Sequence, residues 1–179
     1  MTILLNKRKL SYREVQHNAL EMRRYITDLC FRNFGYKKRK ELNKLPKNFD
    51  IWSAESQDKW LAKEQERIDK RNQLDNWFLI EQKHIILLIV RNIVDTIAKI
   101  ECLNPILKVD FEQTRKWQNE SIGNCYALLQ ELQYVQETIP NEANWLLYVT
   151  DIIQKEIQLL KDWKKTDYHL KRNRVFSKK

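Results

Sequence analysis

The chain has 179 residues, of which only two are Gly and three are Pro. A sheet protein of this length needs turn residues about every ten positions. The composition therefore excludes a sheet protein and favours long helices with few connections. The net charge of +9 divides into +8 over residues 1–50, −1 over 51–110, −4 over 111–160 and +6 over 161–179. Basic charge segregated to both ends indicates an anionic partner, whereas a uniform excess indicates only solubility.

The first predicted helix begins at a capping box, Ser11–Glu14, and extends from about Tyr12 to about Phe34. Gly35 is expected to end it. A basic connector then completes the N-terminal region, residues 1–50, and Ser53 or Asp50 is expected to cap the next helix. Apolar residues at spacings of three and four predict the buried face of the first helix, which consists of Val15, Ala19, Met22, Ile26, Leu29 and Cys30.

Residues 51–76 are predicted to form a charged helical extension. The part from Gln57 to Asp75 favours helix but is polar on almost every side, which is typical of a solvated or projecting helix. The pattern leaves open whether it packs on the core. Because no helix breaker lies between Ser56 and Asn104, one long helix that includes the apolar run after Trp77 is a second interpretation.

A core bundle is predicted over residues 77–170, with a basic tail over 171–179 that is expected to fray. After the apolar helix ends at Asn104, Asp110–Gln113 resembles a second capping box, and a helix extends from about Phe111 to Thr138. A break at Pro140 precedes a last helix that ends near Leu170. The predicted fold class is all-α, an antiparallel four- to five-helix bundle with a charged helical extension. The inward residues of the last helix are predicted to be Leu146, Val149, Ile152, Ile153, Ile157, Leu160 and Trp163.

The sequence predicts a cytoplasmic protein without a membrane span or disulfides. The most apolar stretch, from Trp77 to Ile100, is interrupted by several charged residues. The N-terminus lacks the pattern of a signal peptide. Cys30, Cys102 and Cys125 are odd in number, far apart and outside any CxxC motif, so we expect reduced thiols in the core.

Motifs for catalysis or metal binding are incomplete. Glu81–His84 is a single ExxH, whereas a di-iron carboxylate bundle needs two such motifs and two further glutamates. None of His17, His84 and His169 follows an arginine at the spacing of the Arg-x4–6-His motif of helical HEPN-type ribonucleases. GxSxG and phosphate-binding glycine loops are also missing. We therefore expect no enzyme, cofactor or metal, with a composite di-metal or nuclease site as the alternative.

Clusters of Lys and Arg at the two ends are the candidate nucleic-acid-binding residues, because such sets neutralise phosphate backbones and release counterions. The N-terminal ones are Lys7, Arg8, Lys9, Arg23, Arg24, Lys37, Lys38, Arg39 and Lys40. The C-terminal ones are Lys161, Lys164, Lys165, Lys171, Arg172 and Arg174. Aromatic residues among them are expected to stack on unpaired bases, namely Tyr36, Trp163, Tyr168 and Phe176. The alternative is a solvated charged face, with Trp163 in the core.

Two further aromatic residues, Trp117 and Tyr134, lie off the main stripe of their helix. Such residues are enriched at protein–protein interfaces. A place beneath the N-terminal helix is the alternative.

The C-terminal half has a pattern of its own, which runs from Asn119 to Asp167. A helix rich in Leu and Glu, a short break and a helix ending in I-x-L-L-x-x-W-K-K follow each other there. Lys44-Leu-Pro46-Lys47 matches a K-x-P-K turn. These features resemble the four-helix-bundle family of accessory variability determinants of diversity-generating retroelements, which includes the intervening-sequence proteins of ribosomal RNA genes. The resemblance extends from Trp77 to Arg172.

The resemblance implies a basic, non-catalytic homo-oligomer that binds a reverse transcriptase and its template RNA and enables error-prone synthesis of complementary DNA. RNA is the expected ligand, with DNA or an RNA–DNA hybrid as alternatives. A small helical subunit of another ribonucleoprotein, such as a CRISPR effector complex, is the alternative function. The basic positions that match the family are Lys161, Lys164, Lys165, Lys171 and Arg172.

Overall fold

A computed structural model of the protein describes residues 2–36, 45–72, 76–104, 107–139 and 145–176. A short 3-10 turn follows the first helix at Asn33–Gly35, and another precedes the second helix at Phe49–Ile51. The all-α fold class is confirmed, because the described residues form helices and no strand. The five α-helices are α1 (Thr2–Phe31), α2 (Ala54–Asn72), α3 (Asn76–Glu101), α4 (Lys108–Thr138) and α5 (Trp145–Phe176).

Helices α1, α3, α4 and α5 form an antiparallel bundle in which each helix packs on two neighbours. Residues early in one helix contact residues late in the next, so neighbouring helices run in opposite directions. The pairs that establish this are Arg8–Asp167 and Tyr25–Tyr148 for α1 and α5, Phe78–Tyr134 for α3 and α4, and Tyr126–Lys161 and Gln118–Asp167 for α4 and α5. We call the end that holds the N-termini of α1 and α4 and the C-terminus of α5 the basic end, and the other the apolar end.

The bundle core is built from the predicted apolar stripes. Every residue of the predicted stripe of α1 is buried. Trp163 is completely buried and contacts Tyr12 of α1, with ring centroids 5.6 Å apart. Full burial of one aliphatic or Phe side chain stabilises a fold by about 1.5–3 kcal/mol, so these stripes hold the four helices together. The other helices contribute Ile86, Val90, Ile93, Ile97, Ile100, Cys125, Leu128, Leu132, Val135, Val149, Ile153, Ile157 and Leu160.

Helix α2 lies outside this core cluster. Its polar sequence gives it few buried positions, and none of its described residues belongs to the bundle core. Phe49 instead contacts Trp60 and Trp52, with ring centroids 5.3 and 5.4 Å apart. The predicted cap is confirmed at Ser53, whose Oγ accepts from the Ser56 amide at 3.4 Å. The interpretation of one helix through α2 and α3 depends on residues 73–75, which lie outside the described residues.

Both predicted capping boxes are wrong. Helix α1 begins at Thr2, and the Ser11 hydroxyl donates to the Lys7 carbonyl one turn earlier, at 3.0 Å. Nothing between Thr2 and Leu10 breaks a helix, so the serine is an interior position. Helix α4 begins at Lys108, and the Asp110 carboxylate accepts from the backbone amide of Asn104 at 3.0 Å. Asp110 therefore stabilises the connection between α3 and α4.

The ends of α1 and α5 both differ from expectation. Helix α1 ends at Phe31 rather than near Phe34, and the first left-handed residue after it is Asn33, with a φ of 52°, so the prediction that Gly35 ends this helix is wrong. Gly35, with a φ of 79°, instead ends the 3-10 turn that follows. The expected fraying after Leu170 is wrong as far as Phe176, where α5 ends. Lys and Arg are good helix formers, so the basic composition of this segment does not oppose helix.

All three cysteines are free, as predicted. Cys30 and Cys125 are buried, and burial raises the pKa of the Cys30 thiol to about 11. Cys102 is exposed, so its assignment to the core is wrong. Across the described residues, no helix has an apolar stretch long enough to cross a membrane.

Candidate nucleic-acid interface

The inner face of the basic end contains a buried ionic cluster of Arg8, Gln118 and Asp167. Arg8 Nε donates to Asp167 Oδ1 at 3.0 Å, and Gln118 Nε2 donates to Asp167 Oδ2 at 2.9 Å. Arg8 Nη2 also donates to the Leu103 carbonyl at 3.4 Å. The cluster therefore joins α1, α4, α5 and the residues just after α3.

The charged groups of this cluster neutralise each other inside the bundle. The Asp167 side chain is completely buried and that of Arg8 is only 14% exposed. Burial raises the pKa of Asp167, while the charge and hydrogen bond of Arg8 and the hydrogen bond of Gln118 oppose that rise. The Arg8 guanidinium also lies 5.9 Å from the centroid of Trp163. Arg8 thus faces Asp167 rather than the outer surface to which its sequence context assigned it.

A second buried carboxyl group, Glu156, lies near the middle of the bundle, and the described residues give it no salt-bridge partner. Asn18 Nδ2 donates to Glu156 Oε2 at 2.7 Å. Burial raises the pKa of Glu156 to about 8, although the Asn18 hydrogen bond and the charge of Lys155 oppose the rise. The pair links α1 to α5 about three helical turns along α5 from the buried ionic cluster.

The outer face of the basic end is an open groove between α4 and α5, with a volume of about 450 Å³. We call it the basic groove. On α5 its residues recur every three or four positions, which places them on one exposed helix face. Three predicted lysines come together here with an arginine of α4. The lining residues are Arg115, Gln158, Lys161, Lys164, Lys165, Tyr168 and His169.

Neutral groups orient three of the four cations in the basic groove. Arg115 Nη1 donates to the Lys164 carbonyl at 3.3 Å. Lys164 Nζ donates to the side-chain oxygen of Asn119. Lys161 Nζ donates to the Tyr126 hydroxyl at 3.3 Å and lies 5.8 Å from the centroid of that ring. These bonds fix the positions of the cations without neutralising their charge.

Among the groove's lysines and arginine, the described residues give a carboxylate partner only to Lys165, whose Nζ is 3.1 Å from Asp162 Oδ1. The hydrogen bonds of Gln158 and Lys165 lower the pKa of Asp162, and the charges of Lys165 and Lys7 act in the same direction. Lys7 of α1 therefore lies close enough to α5 to add to the positive field. One carboxylate thus stands among five cations.

The crowding of positive charge is visible at Lys164. Its pKa is lowered, first by partial burial and then by the neighbouring Arg115. An anion bound between the two side chains would relieve their repulsion, which is how positively charged clefts attract anionic ligands.

Phe111 extends the basic groove toward the C-terminus of α5. Lys171 Nζ lies 3.8 Å from the centroid of the Phe111 ring, and the Arg115 guanidinium lies 5.8 Å from it. Such cation–π contacts hold the two side chains near each other. The row of cations thereby spans Lys161 to Lys171, about 15 Å at 1.5 Å per residue.

The aromatic residues predicted to stack on bases divide into two groups. Trp163 and Tyr36 are buried, so that expectation is wrong for both. Tyr168 is 51% exposed at the edge of the basic groove and contacts His169 edge-to-face, with ring centroids 6.0 Å apart. Phe176 lies in the last turn of α5.

The remaining predicted basic residues lie apart from the groove or outside the described residues. Arg23 and Arg24 are exposed on α1, near the level of Tyr148, which is about 20 Å along the bundle from Lys161. Lys9 and Arg172 are exposed, and Arg174 lies within α5. The four basic residues at 37–40 are outside the described residues, as is Lys44 of the K-x-P-K turn.

The single ExxH lies on the surface of α3, where Glu81 and His84 are both exposed. The part of the chain that the structure describes contains no group of three or more His, Cys, Asp or Glu side chains positioned to bind a metal ion.

Large apolar side chains are exposed toward the apolar end. Tyr134 is half exposed and contacts Phe78 of α3 edge-on, so it does not lie beneath α1. Trp117 is partly buried against the core. The most exposed apolar side chains near this end are Phe31, Trp77, Ile80 and Leu147, which are 67–78% exposed.

No family model, curated protein or solved structure matches the chain.

Sequence reasoning missed the contribution of α4 to the groove. Arg115 belongs to a segment with a net charge of −4, so a count of charge by segment did not identify it as a binding candidate. The α4 residues that contact the α5 side of the groove are spaced at intervals of four and seven, namely Arg115, Asn119 and Tyr126. That spacing on a helix flanking a basic one is the signal that predicts the shared face.

Proposed function

We propose that this protein is a non-catalytic RNA-binding accessory subunit of a ribonucleoprotein and that the basic groove is its principal RNA contact. The observation that carries the proposal is the way the cations are held. Arg115, Lys161 and Lys164 are oriented by a carbonyl, a hydroxyl and an amide, which leaves their charge available to an anionic ligand.

The length of the basic row favours a polyanion over a single acidic group. The cations extend along α5 from Lys161 to Lys171, a distance of about 15 Å, and Lys7 adds a further charge from α1. A nucleic-acid backbone carries charge at regular intervals over such a length, and release of its counterions supplies the binding free energy. Tyr168 and His169 beside the row provide aromatic surface for bases.

We propose a reverse transcriptase as the protein partner, on the basis of the resemblance to the accessory variability determinants. The large apolar side chains exposed near the apolar end, among them Trp77 and Ile80, suit a contact with that enzyme or with a second copy of this chain. Such a contact would leave the basic groove open to the template RNA. Three free cysteines are consistent with action in the reducing cytoplasm.

The RNA-binding proposal is tested by the affinity of a structured RNA with single-stranded loops for the full chain in a filter-binding assay at low salt. The variant Arg115→Ala/Lys161→Ala/Lys164→Ala should bind at least about tenfold more weakly than the wild type. The control Lys63→Ala/Lys99→Ala/Lys155→Ala removes three exposed lysines elsewhere and has the same net charge. Equal affinities of the two variants would contradict the assignment to the groove.

The partner proposal is tested by capture from the native host with the tagged chain, followed by sequencing of bound RNA and identification of bound proteins. We expect a reverse transcriptase and its template RNA to be enriched together. Enrichment of a different ribonucleoprotein without a reverse transcriptase would contradict this part of the proposal and leave RNA binding standing.

A further inference from the structure

We infer that the basic groove selects single-stranded RNA and that an unpaired base stacks on Tyr168. This inference rests on the proposed RNA-binding function and names the form of RNA that the same site takes. Three features carry it: the size of the groove, the exposure of the Tyr168 ring and the position of that ring next to the cations.

The size of the groove fits one nucleotide rather than a duplex. Its volume of about 450 Å³ lies in the range of pockets that enclose a small ligand. A single base with its phosphate can enter such a concave space. A duplex keeps its bases stacked inside, so it would contact only the rim, and the cations within the groove would gain little from it.

The Tyr168 ring has a face available for a base. The ring is 51% exposed although it lines the groove. Its contact with His169 is edge-to-face, with an interplanar angle of 70°, so the imidazole meets at most one face of the Tyr168 ring. By contrast, Tyr126 on α4 is engaged through its hydroxyl, which accepts from Lys161 Nζ at 3.3 Å. Tyr168 is therefore the platform, and Tyr126 positions a cation.

The platform lies one helical turn from the phosphate-binding side chains. Lys164 and Lys165 precede Tyr168 by four and three residues on α5, so their Cβ atoms lie about 5–6 Å from that of Tyr168. A backbone phosphate held by these lysines thus places its own base, or the next one, over the ring. Base–aromatic stacking tolerates any sequence, so the groove is expected to recognise unpaired RNA without strict base preference.

The test compares an unstructured single-stranded RNA with a duplex of the same sequence by fluorescence anisotropy on the full chain. Wild type should bind the single strand about tenfold more tightly than the duplex. Tyr168→Ala should weaken single-strand binding roughly 5- to 150-fold, while duplex binding and the salt dependence stay unchanged. Tyr168→Phe keeps the ring and should restore the preference. A 2-aminopurine base in the single strand should be quenched by the wild type and by Tyr168→Phe but not by Tyr168→Ala.

Equal affinity for the two RNA forms, or a Tyr168→Ala variant that binds the single strand like the wild type, would overturn the inference and leave RNA binding by the groove intact. Failure of the wild type to bind either RNA at low salt would overturn the proposed function as well. Because Tyr168 is half exposed, a thermal melt of Tyr168→Ala should match that of the wild type, and a large drop would mark the residue as structural and contradict its role as a platform.

Discussion

Charged side chains on the inner face of α5 are paired and buried, whereas those on the outer face, over the same few turns, are held by neutral groups. On the inner face, Asp167 is completely buried and forms an ion pair with Arg8 of α1. On the outer face, Lys161 and Lys164 are held by the Tyr126 hydroxyl and the Asn119 amide, so their charges persist. The comparison teaches that a basic residue here keeps its charge available to a ligand when its partner is neutral, and that its place in a basic stretch of sequence does not decide this.

The largest expected effect comes from breaking the inner pair. Arg8→Ala leaves the Asp167 carboxylate buried without its cation, and removal of one partner of such a pair costs about 3–5 kcal/mol. The exposed pair Lys165–Asp162 serves as the control, because Lys165→Ala should cost at most about 1 kcal/mol. Urea denaturation of both variants measures the difference. Similar free energies of unfolding for the two would contradict the distinction between the faces.

The second effect concerns Glu156, an inner carboxyl group that has Asn18 in place of a cation. Its pKa rises from 4.5 in the unfolded chain to about 8 in the bundle. The folded state therefore binds the proton more tightly, so stability is full below pH 4.5 and declines as pH rises toward 8. At pH 7 the loss is about 3 kcal/mol, at about 1.4 kcal/mol for each pKa unit.

Glu156→Gln should remove most of this decline, since the amide keeps an oxygen for the Asn18 hydrogen bond and never ionises. Urea midpoints measured between pH 5 and pH 8 check this. The raised pKa of Asp167 leaves a smaller slope of the same sign. A variant as sensitive to pH as the wild type would show that Glu156 is not the buried titrating group.

A smaller effect is expected at Gly123, which lies in the middle of α4 on its exposed side. A Cβ added there would meet no atom within 4 Å. Gly123→Ala should therefore stabilise the protein by about 0.5–1 kcal/mol, because alanine loses less backbone entropy in a helix. Thermal unfolding measures the gain, and a lower melting temperature would show that the position is packed against something.

The sequence predicted the core because spacing along a helix determines which residues are buried. All six predicted residues of the α1 stripe lie inside. Helix starts were less predictable, since Ser11 fits a capping box locally but continues a helix that begins at Thr2. Local capping patterns do not exclude a helix that passes through them.

The site was predictable only in part because its form depends on contacts between distant residues. The lysines of α5 were found from their composition alone. Arg8 was assigned to a binding surface because its partner, Asp167, is 159 positions away in the chain. Arg115 was overlooked because only the packing of α4 on α5 brings it to Lys164. Pairing of helices, and not local charge, separated the structural cations from the available ones.

The salt dependence of RNA binding tests the central claim most directly. For an unstructured single-stranded RNA, each phosphate contact contributes about −0.7 to the slope of log K against log salt concentration. Arg115→Ala/Lys161→Ala/Lys164→Ala should reduce the magnitude of that slope by about 2, since three contacts are lost. The control Lys63→Ala/Lys99→Ala/Lys155→Ala should keep the slope of the wild type. A groove variant with the slope of the wild type would contradict the claim that these cations bind phosphate.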